Sequence, residues 1–393
     1  MVAVFVIYGL ISEETDSMAA NGENQRERMR ERPRKGGKPM SKSFVNKALL
    51  GGAVAAGAAV WAIAPRTFSD KRRNYVPSIP DVWYAHRGLH DAGSGLTAQY
   101  ANESGEYVAL ARRMAMKAGY GSPSVTGAIA PENSLAAFAA ACEAGYGIEL
   151  DLQMTADGEI VVVHDGDLMR VAGDPRRIAD LTYDELTRIP LFPTDAPGAA
   201  VAAPLPGSLE KPPLVTTPDS APEGYFQHVP LFADVLKVVA GRVPLIVEYK
   251  FDDNSKWGSR DVELMEKGDA LLQAYSGAYV IESFNPAAVN WYKENRPEVC
   301  RGQLSWWPQG EEKPSDPASL AKEYAAGALI FDWISRPDFV AYDWHGGNSP
   351  QVRLARFMGA VPVSWTVRSR DELAQCDDWF DHHIFEAFVP DEQ

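Results

Sequence analysis

The chain has 393 residues, 46% hydrophobic and 23% charged, with a formal net charge of −15. That composition is globular and long enough for one large domain or two small ones. The charge is uneven: residues 1–73 hold 13 Lys/Arg against 7 Asp/Glu, a net of +6, so the remainder carries −21. An acidic body argues against a nucleic-acid partner, since nothing offsets phosphate repulsion over a broad surface. It leaves room for a small phosphorylated substrate held by a metal and one or two cations.

Residues 1–47 form a basic region, with "RERMRERPRKGGK" at 26–38, whose composition predicts disorder. The run "ALLGGAVAAGAAVWAIA" (48–64) has seventeen residues and no charge, which predicts a single transmembrane anchor of minimal length. A cleaved signal peptide, with Ala62-Ile63-Ala64 as its cleavage box, and a soluble Ala-rich helix are the alternatives. Basic residues before the run (Arg32, Arg34, Lys35, Lys38, Lys42 and Lys47) orient the anchor with the following domain outside the cytoplasm. Arg66, Lys71, Arg72 and Arg73 after the run weigh toward the cytoplasmic face. Residues 65–81 read as a linker.

From Val82 onward, strand-like and helix-like runs alternate. The strand-like runs are 82–88, 147–155, 159–165, 243–250, 278–284, 301–307, 328–335, 361–367 and 382–388. Amphipathic helical stretches at 133–145, 231–240, 259–275, 286–295, 316–326, 349–358 and 370–378 lie between most of them. Repeated βα units with about eight strands predict a (β/α)8 TIM barrel over residues 82–393. Nine candidates leave one surplus. The turn at Asp157-Gly158 leaves no room for a helix, so the barrel should be irregular at its second and third runs. Residues 91–130, with a helix over 103–119, and the Pro/Ala-rich residues 190–230 read as insertions. Cys142, Cys300 and Cys376 form neither a metal spacing nor a disulfide framework.

The polar residues sit at strand ends. His86-Arg87 close the first run, Glu149 and Asp151 lie on one side of the second, and His164-Asp165 close the third. Glu248 and Lys250 end the fourth, and Ser283-Phe284-Asn285 the fifth. In a (β/α)8 barrel the carboxyl ends share one face, where active sites are built. Glu149, Asp151 and Glu248 make an all-oxygen site suited to Ca²⁺ or Mg²⁺. Arg87 and Lys250 are placed to meet a phosphate. His86 and His164 can serve as base and acid, which together fits metal-assisted phosphodiester cleavage. Trp365, late in the run 361–367, is placed to stack on a substrate or to pack in the core. His90, His228, His345, His382 and His383 have no such company and default to loop or surface positions.

The motifs "AHRG" (85–88), "PENS" (131–134), "IELDLQMTADGEIVVVHD" (148–165), "DLMRVAG" (167–173), "VEYK" (247–250) and "SFNP" (283–286) together resemble the glycerophosphodiester phosphodiesterase family. The resemblance implies a phospholipase-C-like TIM barrel, one divalent cation, and hydrolysis of glycerophosphodiesters to glycerol 3-phosphate and an alcohol. It implies His86 and His164 as the acid/base pair and Arg87 as the phosphate-binding arginine. Glu149, Asp151 and Glu248 become the metal ligands, and Lys250 matches the lysine two residues after the third ligand. Glu132 and Asn133 match a site-lining motif, Asn133 also opening the following helix as its cap. Forty-two residues separate Gly88 from Pro131, far more than the family usually has, and the last strand ends "IFEAFVP" in place of a Thr-Asp ending. Lysophospholipase D chemistry on the same site, and a non-catalytic anchored domain that binds glycerophospho-groups, are the alternative functions.

Overall fold

A computed structural model describes residues 56–66, 76–123, 125, 127–192, 227–252, 254, 256–308 and 316–391. Eight parallel strands form a closed barrel: β1 (Tyr84–His86), β2 (Gly147–Met154), β3 (Leu245–Tyr249), β4 (Tyr279–Ser283), β5 (Arg301–Ser305), β6 (Phe339–Asp343), β7 (Val361–Val367) and β8 (His382–Phe385). Closure comes from β1, which pairs with β8 through Tyr84↔Ile384 and with β2 through His86↔Glu149. After residue 82, the helices longer than one turn among the described residues are α1 (Ala101–Lys117), α2 (Leu135–Ala144), α3 (Phe232–Val239), α4 (Ser259–Ala274), α5 (Pro286–Asn295), α6 (Pro317–Gly327), α7 (Pro350–Phe357) and α8 (Arg370–Cys376).

The two-residue period of the strands sorts the barrel interior by chemistry. Tyr84, Ile246, Val280, Phe339, Ala341, Val363 and Ile384 form one buried apolar cluster. Two residues further along β1, β3 and β4 come His86, Glu248 and Glu282, and Glu386 follows β8 directly. Apolar packing thus fills the amino-terminal half, and charge gathers at the carboxyl end. Outside the strands a second, larger core lies between barrel and helices. In α2, "LAAFAAACEA", the residues from Leu135 to Ala141 are all buried. The first insertion places α1 over that helix, burying Tyr107, Ala111 and Ala115 at four-residue spacing. Small side chains let the two helices and the barrel approach closely.

The irregularity expected after β2 is present. Ile160–Val162 folds back as a short antiparallel strand, with Leu152↔Val162 and Met154↔Ile160 in register. The surplus run is 159–165, which forms that antiparallel strand outside the barrel. The run 328–335 is misplaced, because Asp332–Ser335 is a helical turn and the sixth strand, Phe339–Asp343, is not among the expected runs. Short apolar runs carry no period that separates buried strand from buried helix.

The membrane anchor expected over 48–64 is overturned, and with it the extracytoplasmic placement; the membrane partner and an N-terminal apolar helix standing free of the barrel domain gain no support. Among the described residues no helix is long and apolar enough to cross a membrane. Residues 56–63 of that run are helical, and residues 48–55 lie outside the described residues. The end of this segment is tied to the barrel domain. Arg336 Nη1 donates to the carbonyls of Trp61 and Ala64 at 2.7 and 2.6 Å, Trp61 stacks on Trp333, and Ile63 is buried. The basic region 1–47, residues 67–75 of the expected linker and residues 193–226 of the second insertion also lie outside the described residues.

Candidate active site at the carboxyl end of the barrel

Glu149 and Asp151 share one side of β2, and Glu248 stands beside Asp151 in register on β3. All three are buried, and one oxygen from each lies within 4.8 Å of the others. The Arg87 amide donates to Glu149 Oε2 at 3.0 Å, and Asn133 Nδ2 donates to Asp151 Oδ2 at 2.8 Å. Lys250 Nζ sits 2.7 Å from Glu248 Oε2 and 3.3 Å from Asp151 Oδ1. Burial, with the neighbouring carboxylates of Asp151 and Glu248, pushes the Glu149 carboxyl well above its usual range. Burial likewise pushes Glu248 up to about 7. Burial acts the same way on Asp151, but Lys250, His164 and Arg87 outweigh it and hold that carboxyl low. Glu248 Oε1 and Asp151 Oδ1 are buried and accept no hydrogen bond. Three converging carboxylates, with Glu248 Oε1 left without a hydrogen-bond donor, fit a hard divalent cation bound through oxygen.

Around this cluster the chain turns sharply. Arg87 and Gly88 follow β1 with φ of 57° and 80°. A Cβ on Gly88 would meet the Ala137 backbone at 2.9 Å, so this left-handed turn requires glycine. Arg87 Nη1 donates to Glu132 Oε1 at 2.8 Å, and its Nε lies 3.6 Å from Asp151 Oδ2. Glu132 is fully engaged. Arg170 reaches both of its oxygens at 2.6 and 2.8 Å, and the Ser94 amide donates to Oε2 at 2.6 Å. Burial would raise the Glu132 carboxyl, yet Arg87 and Arg170 hold it well below the usual carboxylate range.

Both histidines reach this face with Nδ1 occupied by a carboxylate. His86 Nδ1 is 2.7 Å from Glu386 Oε2, and its Nε2 is 3.9 Å from Glu149 Oε2. Burial drives His86 down to about 4, which keeps the imidazole neutral at pH 7. His164 Nδ1 is 2.7 Å from Asp165 Oδ1, and Arg170 Nε donates to Asp165 Oδ2 at 2.6 Å. Arg170 therefore links His164, through Asp165, to Glu132 and Arg87. Gln153 Nε2 donates to the carbonyls of Val163, His164 and Asp165, fixing the bend that carries His164. Burial, with the Arg87 and Lys250 charges, lowers His164 as well.

Most of the residues singled out from the sequence meet here: His86, Arg87, Glu132, Asn133, Glu149, Asp151, His164, Glu248 and Lys250. Trp365 packs its edge against Phe284 at 5.5 Å, and Phe284 lies 5.6 Å from Lys250 Nζ. One local expectation fails: Asn133 is not the cap of α2. Ser134 fills that place, its Oγ accepting from Ala137 N at 3.2 Å, while Asn133 takes φ 55° and turns its amide to Asp151.

Sequence reasoning missed four participants. Glu386 and Arg170 carry the hydrogen bonds just described, and His90 is fully buried 3.6 Å from Glu386 and edge-on to Tyr107. Glu282, paired in register with Glu248, is a fourth buried acid inside the barrel, its carboxyl raised by burial and by Glu248. The signal that found Glu248, an acidic residue closing an apolar strand, was also present in "IES" and "IFE". His228 and His383 are likewise buried, His383 Nδ1 lying 2.7 Å from Ser364 Oγ.

A sequence model of the glycerophosphoryl diester phosphodiesterase family matches residues 125–385. The match begins beyond the turn that carries His86 and ends one residue before Glu386. A glycerophosphodiester phosphodiesterase of Caldanaerobacter subterraneus subsp. tengcongensis is 43% identical over 60 residues, 15% of this chain and 25% of that protein. The chain thus spans about a quarter of that relative's length. A glycerophosphodiester phosphodiesterase of Bacillus subtilis is 25% identical over 235 residues, 59% of this chain and 70% of the relative. Among solved structures, a phosphodiesterase of Oleispira antarctica in complex with the product sn-glycerol-3-phosphate is 17% identical. The alignment covers 68% of this chain and 91% of that one, with a TM-score of 0.46.

Proposed function

This chain belongs to the glycerophosphoryl diester phosphodiesterase family, and we propose that its barrel, residues 82–393, hydrolyses glycerophosphodiesters to glycerol 3-phosphate and an alcohol. The observation that carries this reading is the convergence of Glu149, Asp151 and Glu248 within 4.8 Å at the barrel's carboxyl end, flanked by two histidines, an arginine and a lysine.

Glu149, Asp151 and Glu248 would hold one divalent cation, Ca²⁺ or Mg²⁺. When bound, the cation supplies Lewis-acid polarisation of the phosphodiester oxygens. Arg87 and Lys250 orient the phosphate and offset its charge. Glu132 acts through Arg87, whose guanidinium it holds, and Asn133 acts through Asp151. As the attacking oxygen bonds to phosphorus and the bond to the leaving alcohol breaks, one histidine takes the attacker's proton and the other protonates the leaving oxygen. His86 suits the base role, since burial keeps it neutral. Trp365 and Phe284 form an aromatic wall against the part of the substrate beyond the phosphate.

The test is release of glycerol 3-phosphate from a panel of glycerophosphocholine, glycerophosphoethanolamine and glycerophosphoinositol, with lysophosphatidylcholine as comparator. Release that stops in EDTA and returns with Mg²⁺ or Ca²⁺ supports the reading. Release that persists in EDTA removes the proposed cation, and no release from any diester removes the activity.

A further inference from the structure

Glu386 follows β8 and is completely buried, yet none of the chemistry above uses it directly. Its carboxylate gathers donors from three segments distant in sequence. Oε2 accepts from His86 Nδ1 at 2.7 Å and from Ser94 Oγ at 2.7 Å, while Oε1 accepts from Arg368 Nε at 2.5 Å. Ser94 belongs to the long stretch between Gly88 and Pro131, and its amide donates to Glu132. One residue of that insertion therefore touches both the carboxylate beside His86 and the carboxylate holding Arg87. The neighbouring Gly95 has φ 73°, and a Cβ there would fall 2.7 Å from Glu386 Cδ, so the turn is pressed against this carboxylate in a way only glycine permits.

An ionised carboxylate is an acceptor only, so His86 Nδ1 must be the donor. In a neutral imidazole the other nitrogen is then unprotonated, and it lies on the side of Glu149. We propose that Glu386, braced by Ser94 and Arg368, is a positioning residue that fixes His86 as its Nδ1–H tautomer and leaves Nε2 as the nitrogen that accepts a proton. This deepens the reading of His86 as one of the two proton-transferring histidines and rests on it for its kinetic consequence, though not for the tautomer itself.

Glu386→Gln tests the assignment because its outcome is directional. The amide oxygen stays on Arg368, the one partner that cannot accept, so the amide NH₂ turns to His86 Nδ1. That nitrogen must then accept, and the proton moves to Nε2. Long-range ¹⁵N–¹H spectra of the ¹⁵N-histidine-labelled full chain, with His86→Gln assigning the signal, should show Nδ1–H in the wild type and Nε2–H in Glu386→Gln. Turnover of the glycerophosphodiester released fastest should fall on the order of 10²–10⁴-fold in kcat with KM nearly unchanged. Ser94→Ala keeps the charge and loses one brace, with an expected drop of roughly fivefold in kcat. It decides the matter if Glu386→Gln loses its circular-dichroism signature of folding. An unchanged tautomer in Glu386→Gln, or kcat within about twofold of wild type in the folded variants, overturns the proposal. A wild type inactive on every diester defeats the functional reading alone, and the spectra still decide the tautomer.

Discussion

Asn133 Nδ2 donates to Asp151 Oδ2 at 2.8 Å, joining the loop before α2 to the acidic strand β2. The bond depends on backbone conformation, because Asn133 has φ 55° and its amide reaches the cluster from that left-handed position. Asparagine tolerates this region better than most residues. Asn133→Gly keeps the backbone accessible while removing the donor. We expect cation affinity to fall about 10–100-fold, the usual cost of losing a partner that orients a metal ligand. Calorimetric titration with Mg²⁺ and Ca²⁺ checks this, and unchanged affinity would separate Asn133 from the cluster's function.

Stripping the cation should expose the strain of the clustered acids as a pH-dependent loss of stability. Burial pushes Glu248 up to about 7 and Glu149 well above its usual range of 4.5. A carboxyl raised on folding contributes stability in full below its unfolded value and loses it as pH climbs to its folded value. In EDTA the thermal midpoint should therefore fall between about pH 4.5 and 7, and added Mg²⁺ or Ca²⁺ should flatten the slope. Asp151, Glu132 and Glu386 are held low, so their loss belongs to more acidic solutions. A midpoint in EDTA that stays level across the interval would contradict the crowding of Glu149 and Glu248.

Replacement of either proposed proton carrier should cost turnover far more than binding. His86→Ala and His164→Ala are each expected to lower kcat on the order of 10²–10⁴-fold. Steady-state kinetics with glycerophosphocholine measures it, and near-normal turnover in one variant would clear that histidine of a proton-transfer role.

The two ends of the first insertion are pinned to each other by one carboxylate, Asp91, whose contribution to stability is separable from the contacts that dock the insertion on the barrel. Asp91 accepts from the amides of Ile129 and Ala130 at 2.8 Å each and from Arg112 Nη1 at 2.7 Å, and it is buried. Asp91→Ala leaves two buried amides and a cation without their acceptor, a loss of about 3 kcal/mol. Urea denaturation of the full chain provides the number. A loss below about 1 kcal/mol would mean that the ends of the insertion are joined by its other contacts and not by Asp91.

The sequence was most legible where one short segment carried both pattern and chemistry. The period of two along "IELDL" predicted that Glu149 and Asp151 share a side, and β2 places them so. The amphipathic stretch 286–295 coincides with α5, whose N-cap Asn285 accepts from Ala287 N at 2.9 Å. Legibility failed where two segments compete on equal terms. Residues 328–335 and 339–343 are both short apolar runs, and only their place beside β5 and β7 decides which joins the barrel. It failed again at 48–64, where absence of charge was read as an anchor. Side-chain contacts at its far end, Ile63 buried and Arg336 bonded to Trp61, tie that end to the barrel domain instead.

The sequence by itself determined the repeated βα rhythm, the inward acids of β2 and β3, and the histidines at two strand ends, because these follow from backbone periodicity within a few residues. Only the tertiary structure decided what each group meets. Closing β8 against β1 brings Glu386 to His86 across 300 positions. Packing α1 on α2 carries Ser94 to both Glu132 and Glu386, and Arg170 spans from Asp165 to Glu132. Such partners are set by barrel closure and by the path of an insertion, and the range of a strand's or helix's period is too short to reach them.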